Sequence, residues 1–492
     1  MALLQIKTYK IFLTLIVLLL FGRSSNGQDN AFWSTPQKIT NKTYYTNLVG
    51  QNQKGVYIFQ TAKNERERYI LITSLNRDLS LSSRREFLQN KYERMEKLVL
   101  FQTKIALIYS VQHKKSDSAR LMVKMLDHEL NTLSPPRIIH SFINKDSKDD
   151  LVTVIPDRAR KEVLISIASH GDSLHNNLSL FLYDDQFRLL KSDRLDIPPQ
   201  AESFELARHR LVNKNYISVL SYYKKEGLFK RVKLKMLLKK DLSTGQLNQY
   251  ALFNDSLITD KGKFSYDTKA HTFNFSSFYY KADSMQPSGF FQYHLSCTSD
   301  STSHRIMPFQ NVYLDELFGR NRDKKSTQTL YFNQAVKRSD GGDIFICERK
   351  EIDEQHMDEV SVYGVQQSYI RYYFYYYEIS ILSVNPDGTL DWHKMIKKEQ
   401  ISLNDEGYYS SFGCQVSEDR LYFIYNEISR KNKNVLVYEV NPNGEGEGSV
   451  LISGSTIGGT AIPKESMQMS SQELIIPVLK DREGLTLLKL VR

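Results

Sequence analysis

With 492 residues, 41% of them hydrophobic and 12% aromatic, the chain has the material for a large core, and length alone would suggest two or three domains. A formal charge of +10 with both signs interspersed is far from a nucleic-acid footprint and only weakly favours anionic partners such as a lipid surface or an acidic polysaccharide. Cys297, Cys347 and Cys414 are too few and too widely spaced for a disulfide framework, and no two share the CxxC spacing of a zinc site.

At the start of the chain, Lys7 and Lys10 precede an apolar run of 11 residues, 11–21, followed by small and polar residues up to Gly27. That is the layout of a signal peptide over residues 1–27. A bilayer span needs about 20 apolar residues, so an uncleaved anchor is the weaker reading. No cysteine follows the run, which argues against a bacterial lipid anchor. Removal of Lys7, Lys10 and Arg23 with the leader takes the formal charge from +10 to +7. The expected product is secreted or periplasmic, with no second apolar segment of spanning length.

Downstream the chain alternates strand, polar loop, strand. The pairs are 57–60 with 69–75, 105–109 with 121–126, 163–168 with 178–183, 216–222 with 232–238, and 273–280 with 290–296. They continue as 344–347 with the aromatic run 371–392, 421–425 with 435–440, and 474–479 with 485–491. The run RYYFYYYEISILSVNPDGTLDW is the clearest copy: aromatic and β-branched residues fit a pleated surface, and Asn385, Pro386, Asp387 and Gly388 supply a turn. LSLFLYDDQFRLL from Leu178 and VLVYEVNPNGEGEG from Val435 repeat its pattern, and LMVKMLDHELNTL from Leu121 and LKMLLKKDLSTGQL from Leu234 do so more loosely.

Markers at Tyr57, Ile105, Val163, Tyr216, Phe273, Ile344, Leu421 and Leu474 are spaced by 48, 58, 53, 57, 71, 77 and 53 residues. A period near 50 with about four short strands per unit predicts an all-β propeller of seven or eight blades over residues 28–492. A tandem of β-sandwiches and a parallel β-helix are the weaker alternatives. The two long steps place insertions near 315–325 and 351–369. Short terminal units predict a shared blade, in which a strand at about 40–48 pairs with the C-terminal unit. Residues 83–98, SRREFLQNKYERMEKL, have helical composition and spacing, and 311–318 form a second candidate helix.

Candidate chemistry is sparse. His170 and His175 flank a turn without a full ligand set, and Asp146, Asp149 and Asp150 lack the order of a calcium loop. SGSTIGGT at 453–460 has no nucleophile elbow and reads as a loop between blades, and GEGEG at 444–448 reads as a hairpin turn. No cofactor or metal is called for. The cysteines read as buried thiols, with a Cys347–Cys414 bridge as the alternative. N-glycosylation sequons begin at Asn41, Asn177, Asn254 and Asn274. Arg231, Lys233 and Lys235 alternate with apolar residues, as on an exposed outer strand or a patch for an anionic partner. Tyr363, Tyr372 and Tyr373 head the aromatic stretch 363–377, whose exposed half offers a sugar or protein contact.

DLSTGQLNQY at 241–250 resembles the turn of quinoprotein-like propeller repeats, and NPDGTLDW at 385–392 looks like the same blade turn with a tryptophan capping the next blade. The motif does not recur in every unit and implies no quinone cofactor. GGDIFICER, the aromatic run, KKEQISLNDEGYYSSF and DRLYFIYNE, all within 341–426, resemble a family of uncharacterised secreted propeller-like proteins of Gram-negative bacteria. The resemblance implies an all-β fold and an address in the cell envelope, and it carries no catalytic residue across. The expected function is a noncatalytic scaffold for protein partners, with glycan as a further ligand class. The alternative is a carbohydrate-binding or hydrolytic propeller with its site at the channel mouth.

Overall fold

A computed structural model describes residues 30–492, apart from 37–42, 64–67, 90–91, 114–117, 144–151, 158, 171–175, 197–203, 213, 227–229, 253–256, 260–261, 268–269, 282–286, 319–328, 361–365, 428–433 and 481–483. Residues 1–27, expected to be a leader, and Asn41, Asp146, Asp149, Asp150, His175, Asn254 and Tyr363 lie outside the described residues.

Eight antiparallel sheets follow one another along the chain. Blade one is Thr43–Gln51, Gly55–Lys63, Arg68–Asn76 and Leu81–Gln89, paired in that order from first strand to fourth. Every strand pair found at the sequence level falls on the second and third strands of a blade, such as Gly55–Lys63 with Arg68–Asn76 and Asp343–Val360 with Gln366–Val384. These are the central strands, buried on both faces, which is why their apolar signal is the strongest.

Closure is visible in the core. Eight buried clusters each join two neighbouring blades, from Tyr57 and Ile72 with Leu98 and Ile105 between blades one and two to Val435 and Val437 with Ile476 and Leu488 between seven and eight. The last cluster packs Val56, Ile58 and Leu79 of blade one against Ile475, Leu485 and Leu487 of blade eight. A sheet that cannot bury both faces alone does so between two neighbours, and the ring leaves no end exposed. The fold is therefore an all-β propeller of eight blades.

The strand that closes the ring is not the one expected. Asn30–Trp33 pairs with Gly484–Val491 as the outermost strand of blade eight, whereas Thr43–Gln51 is the first strand of blade one. Ser34 fastens the join: its hydroxyl accepts from the Leu487 amide at 2.8 Å, and its carbonyl accepts from the Thr486 hydroxyl at 2.9 Å. The helix expected over 83–98 is also absent. That stretch ends the fourth strand of blade one, Leu81–Gln89, and enters the first strand of blade two, Glu93–Leu100. Backbone groups of Arg68–Asn76 need an edge partner, and the charges of Arg84, Arg85 and Glu86 suit an edge strand as well as they suit a helix. The helix at Asn311–Phe318 forms as expected, overlapping the start of the insertion expected near 315–325.

The compared turn sequences superimpose as third strand, turn and fourth strand. In seven blades the turn contains a residue at positive φ whose amide donates to the carbonyl of the turn's first residue: Leu79, Leu130, Phe187, Gly245, Asp300, Gly388 and Gly444. Leu79, Leu130 and Phe187 are buried there, so core packing offsets a backbone cost of roughly 1–2 kcal/mol for a side chain in the left-handed region. Gly444 leaves no choice, because a Cβ there would sit 2.5 Å from the Trp392 ring. The Trp392 indole donates to the Pro442 carbonyl at 2.9 Å, so the tryptophan does cap the next blade.

Candidate functional site

Two features depart from the repeat: an arm on blade six and a channel through the ring. In blade six, Asp343–Val360 and Gln366–Val384 pair over their whole length. The first strand, Thr329–Lys337, reaches only to Lys350, and Gln400–Leu403 covers only Tyr373–Tyr376. From Glu351 to Val360 the ribbon extends by about 33 Å, at ~3.3 Å per residue. The second insertion is thus an extension of the two central strands, on the face opposite the first-to-second and third-to-fourth strand turns.

Pairing across the ribbon assigns its two faces, because directly opposite residues point the same way. One carries Tyr369, Arg371, Tyr373 and Tyr375 opposite Met357, Gln355, Asp353 and Glu351, with Leu403 and Ile401 alongside the last two tyrosines. Tyr373 and Tyr375 stack at 6.4 Å between ring centroids, and Tyr375 and Tyr377 at 6.2 Å with their planes 7° apart. The Arg349 guanidinium lies 4.5 Å from the Tyr377 ring centre and forms a two-point ion pair with Glu378. Desolvation first, and then the charges of Glu351 and Asp353, hold the Tyr375 phenol above its ordinary pKa. Ile401 and Leu403 remain exposed beside this stripe.

The other face is buried only near its root. Phe374 and Tyr376 are buried, while Tyr372, Ile370 and Ile352 are exposed at 38%, 40% and 50%. Beneath Tyr376, the Glu348 carboxylate pairs with the Lys398 ammonium at 2.8 Å, both side chains at most 3% exposed. The Ser411 hydroxyl donates to Glu348 at 2.6 Å, and Gln400 accepts from the Ser411 amide and donates to the Asn426 carbonyl. Burial lowers the Lys398 pKa and raises that of Tyr376 to about 12. This network ties the arm's root to the connection leading into blade seven.

The channel is lined by first strands. A cavity of about 950 Å³ runs along Leu48, Met95, Val154, Arg210 and Phe264, from blades one to five. Its charged residues are Lys97, Arg160, Arg210 and Lys263 against Glu96 and Asp157. Glu96 accepts from Ser110 at 2.6 Å, and Asp157 caps its own turn by accepting from the Lys161 and Glu162 amides. A second cavity, of about 510 Å³, opens at the mouth on the turn face and shares Arg160 with the first.

Of the residues singled out from sequence, Tyr372 and Tyr373 lie on opposite faces of the arm. Arg231, Lys233 and Lys235 lie on Lys230–Asp241, which is the third strand of blade four and not an outer strand. The fourth strand, Leu247–Ala251, pairs from Met236 to Lys240, so among the described residues the stretch bearing the three charges has no fourth-strand partner. The Cys347–Cys414 bridge does not form. Cys347 points into the core between blades five and six and Cys414 into that between six and seven, and the Cys414 thiol accepts from Gln334 at 3.2 Å. Burial pushes the Cys414 thiol up to about 12. Asn274 is buried and bonded to His294, which leaves no room for a glycan. His170 ends the strand Glu162–His170, and among the described residues no group of three His, Cys, Asp or Glu is placed to hold a metal. No helix among the described residues is long and apolar enough to cross a membrane. Sequence reading missed Arg160, Arg210 and Lys97, since isolated cations on separate first strands leave no local pattern.

No family model matches the chain, and no curated protein sequence matches it. Among solved structures it is similar to the β-propeller domain of the Trilobed protease from Pyrococcus furiosus at 13% identity and a TM-score of 0.38, covering 85% of this chain and 98% of that one. It is also similar to the polysaccharide lyase Uly1 at 10% identity and a TM-score of 0.37, covering 95% and 98%. A protein of unknown function from Dyadobacter fermentans DSM 18053 is similar at 8% identity and a TM-score of 0.32, covering 82% and 100%.

Proposed function

We propose that the protein is a noncatalytic binding scaffold of the bacterial cell envelope that holds a protein partner on the blade-six arm, the partner offering a basic, partly apolar segment. The carrying observation is the arm's surface. A two-stranded ribbon alone is marginally stable in water, yet this one leaves Ile352, Ile370 and Tyr372 exposed. It also concentrates Glu351, Asp353, Glu354 and Asp358 against Arg371 in a chain whose formal charge is +10. Carboxylates beside stacked tyrosines suit lysine and arginine, through ion pairs and cation–π contacts. The leader-like residues 1–27 and the resemblance of 341–426 support the envelope address.

The test is fluorescence anisotropy with a labelled peptide of alternating lysine and valine, and with its glutamate counterpart as control. The basic peptide is expected to bind, at least tenfold more weakly to Glu351→Lys/Asp353→Lys and to Tyr375→Ser. Equal binding of both peptides, or no loss in the variants, would overturn the reading. Self-association abolished by the same charge reversal would instead identify the occupant as a second copy. Turnover of a substrate lost through one substitution would refute the noncatalytic part.

A further inference from the structure

We propose that the turn-face mouth of the channel binds a small oxyanion, a ligand carrying carboxylate or phosphate groups. Blades one, two, three and eight build this cavity, so it exists only when the ring is closed.

Three residues that line it, Asn52, Arg160 and Arg77, carry side-chain donors without an acceptor among the described residues. Asn52 is 7% exposed, and its Oδ1 accepts from the Lys54 amide at 2.8 Å, the Gly55 amide at 3.2 Å and the Tyr57 hydroxyl at 3.1 Å. Two backbone donors on one atom fix which end of the amide is oxygen. The other end, Nδ2, has no partner among the described residues. A buried donor left unsatisfied costs roughly 1–3 kcal/mol, so an acceptor supplied by a ligand would be favoured there. The amide is also held rigid: Tyr57 is buried, its hydroxyl lies 2.8 Å from His128 Nδ1, and His128 Nε2 lies 3.2 Å from Asn76 Oδ1.

Arg160 and Arg77 are the second and third donors. Among the described residues neither has a carboxylate within ion-pair distance, and burial lowers the Arg160 pKa from its ordinary value. Arg160 sits at φ +56°, a backbone region that costs an L-residue about 1–2 kcal/mol, and its side chain reaches the space beside Gly50. The carboxylate lining the mouth, Glu473, is paired with Lys489 at 2.5 Å. The balance at the mouth is donors and positive charge, which suits the bidentate geometry of carboxylate or phosphate on guanidinium. Beyond Arg160 the channel continues to Lys97 and Arg210, so a ligand with more than one oxyanion group finds further cations.

Calorimetric titration of the full chain with citrate, with pyrophosphate and with neutral maltotriose tests this. Citrate or pyrophosphate is expected to bind saturably, and which one does so distinguishes a carboxylate from a phosphate ligand. Arg160→Asn, chosen because asparagine tolerates the left-handed backbone, should weaken binding at least tenfold, and Arg77→Gln several-fold, with little change in Tm. Glu351→Lys on the arm should leave it unchanged, so failure here is separable from failure of the arm. No saturable heat with either anion, unaltered affinity in both arginine variants, or equally tight maltotriose binding would overturn the proposal.

Discussion

Blades four and six both lengthen their central hairpin toward the same face of the ring, and the two hairpins carry opposite charge. In blade four, Asn215–Glu226 and Lys230–Asp241 pair over all 12 residues, and the outer part bears Lys224, Lys225, Lys230, Arg231, Lys233 and Lys235 against Glu226. In blade six the outer part is acidic. Their anchors differ as well. Lys239 and Lys240 of blade four, adjacent on a strand and so pointing to opposite faces, pair with Asp300 of blade five and Asp193 of blade three. Blade six is held by the fully buried Glu348–Lys398 pair. The comparison teaches that one topological device, a longer second-to-third strand hairpin, can be fastened either at the turn-face end of its strands, by ion pairs reaching sideways to both neighbours, or directly beneath its extension, by a sealed polar network.

The sharpest way to break the comparison is Lys398→Met. It leaves the Glu348 carboxylate buried without its counter-ion, and equilibrium denaturation should show a loss of about 3–5 kcal/mol. Glu348→Leu/Lys398→Met together should recover most of that loss, because no charge is then stranded. Tyr376→Phe should act next, and through pH. The Tyr376 phenol is raised to about 12 from 10.0, so its contribution is complete below pH 10 and is lost as pH rises from 10 toward 12, where the unfolded chain ionises first. Thermal melts across that window should fall less steeply in the variant, although Tyr216 at the turn-face end of blade four, also raised by burial, keeps part of the slope. The smallest effect belongs to Lys239→Met, at roughly 1 kcal/mol by denaturation. Asp300, 40% exposed, regains water there as Glu348 cannot.

Much of this was legible beforehand. The central strands announced themselves through apolar runs, and the turn after the third strand of blades four, six and seven through Asn or Asp followed by Gly. Leu79 shows where that signal fades, since a buried leucine takes the position of glycine and only the backbone shows the equivalence. Arg231, Lys233 and Lys235 do share one strand, but strand order within a sheet depends on pairings that the run itself does not encode. Residues 83–98 misled because an edge strand rich in charge has the composition of a helix, and the deciding contact is with Arg68–Asn76. The insertion expected near 351–369 lies on the arm, while the arm's two-faced character needed the register with Glu351 and Asp353.

By itself the sequence determined the repeat, its period and its turns, because these rest on side-chain alternation and on backbone preferences acting within four or five residues. Only the tertiary structure decided that Asn30–Trp33 closes the ring, that Cys347 and Cys414 face different cores, and that Asn52, Arg77 and Arg160 share one cavity. Those outcomes depend on how many blades close the circle and which neighbours each face meets. Ring closure sets them among residues far apart along the chain, where no local pattern is written.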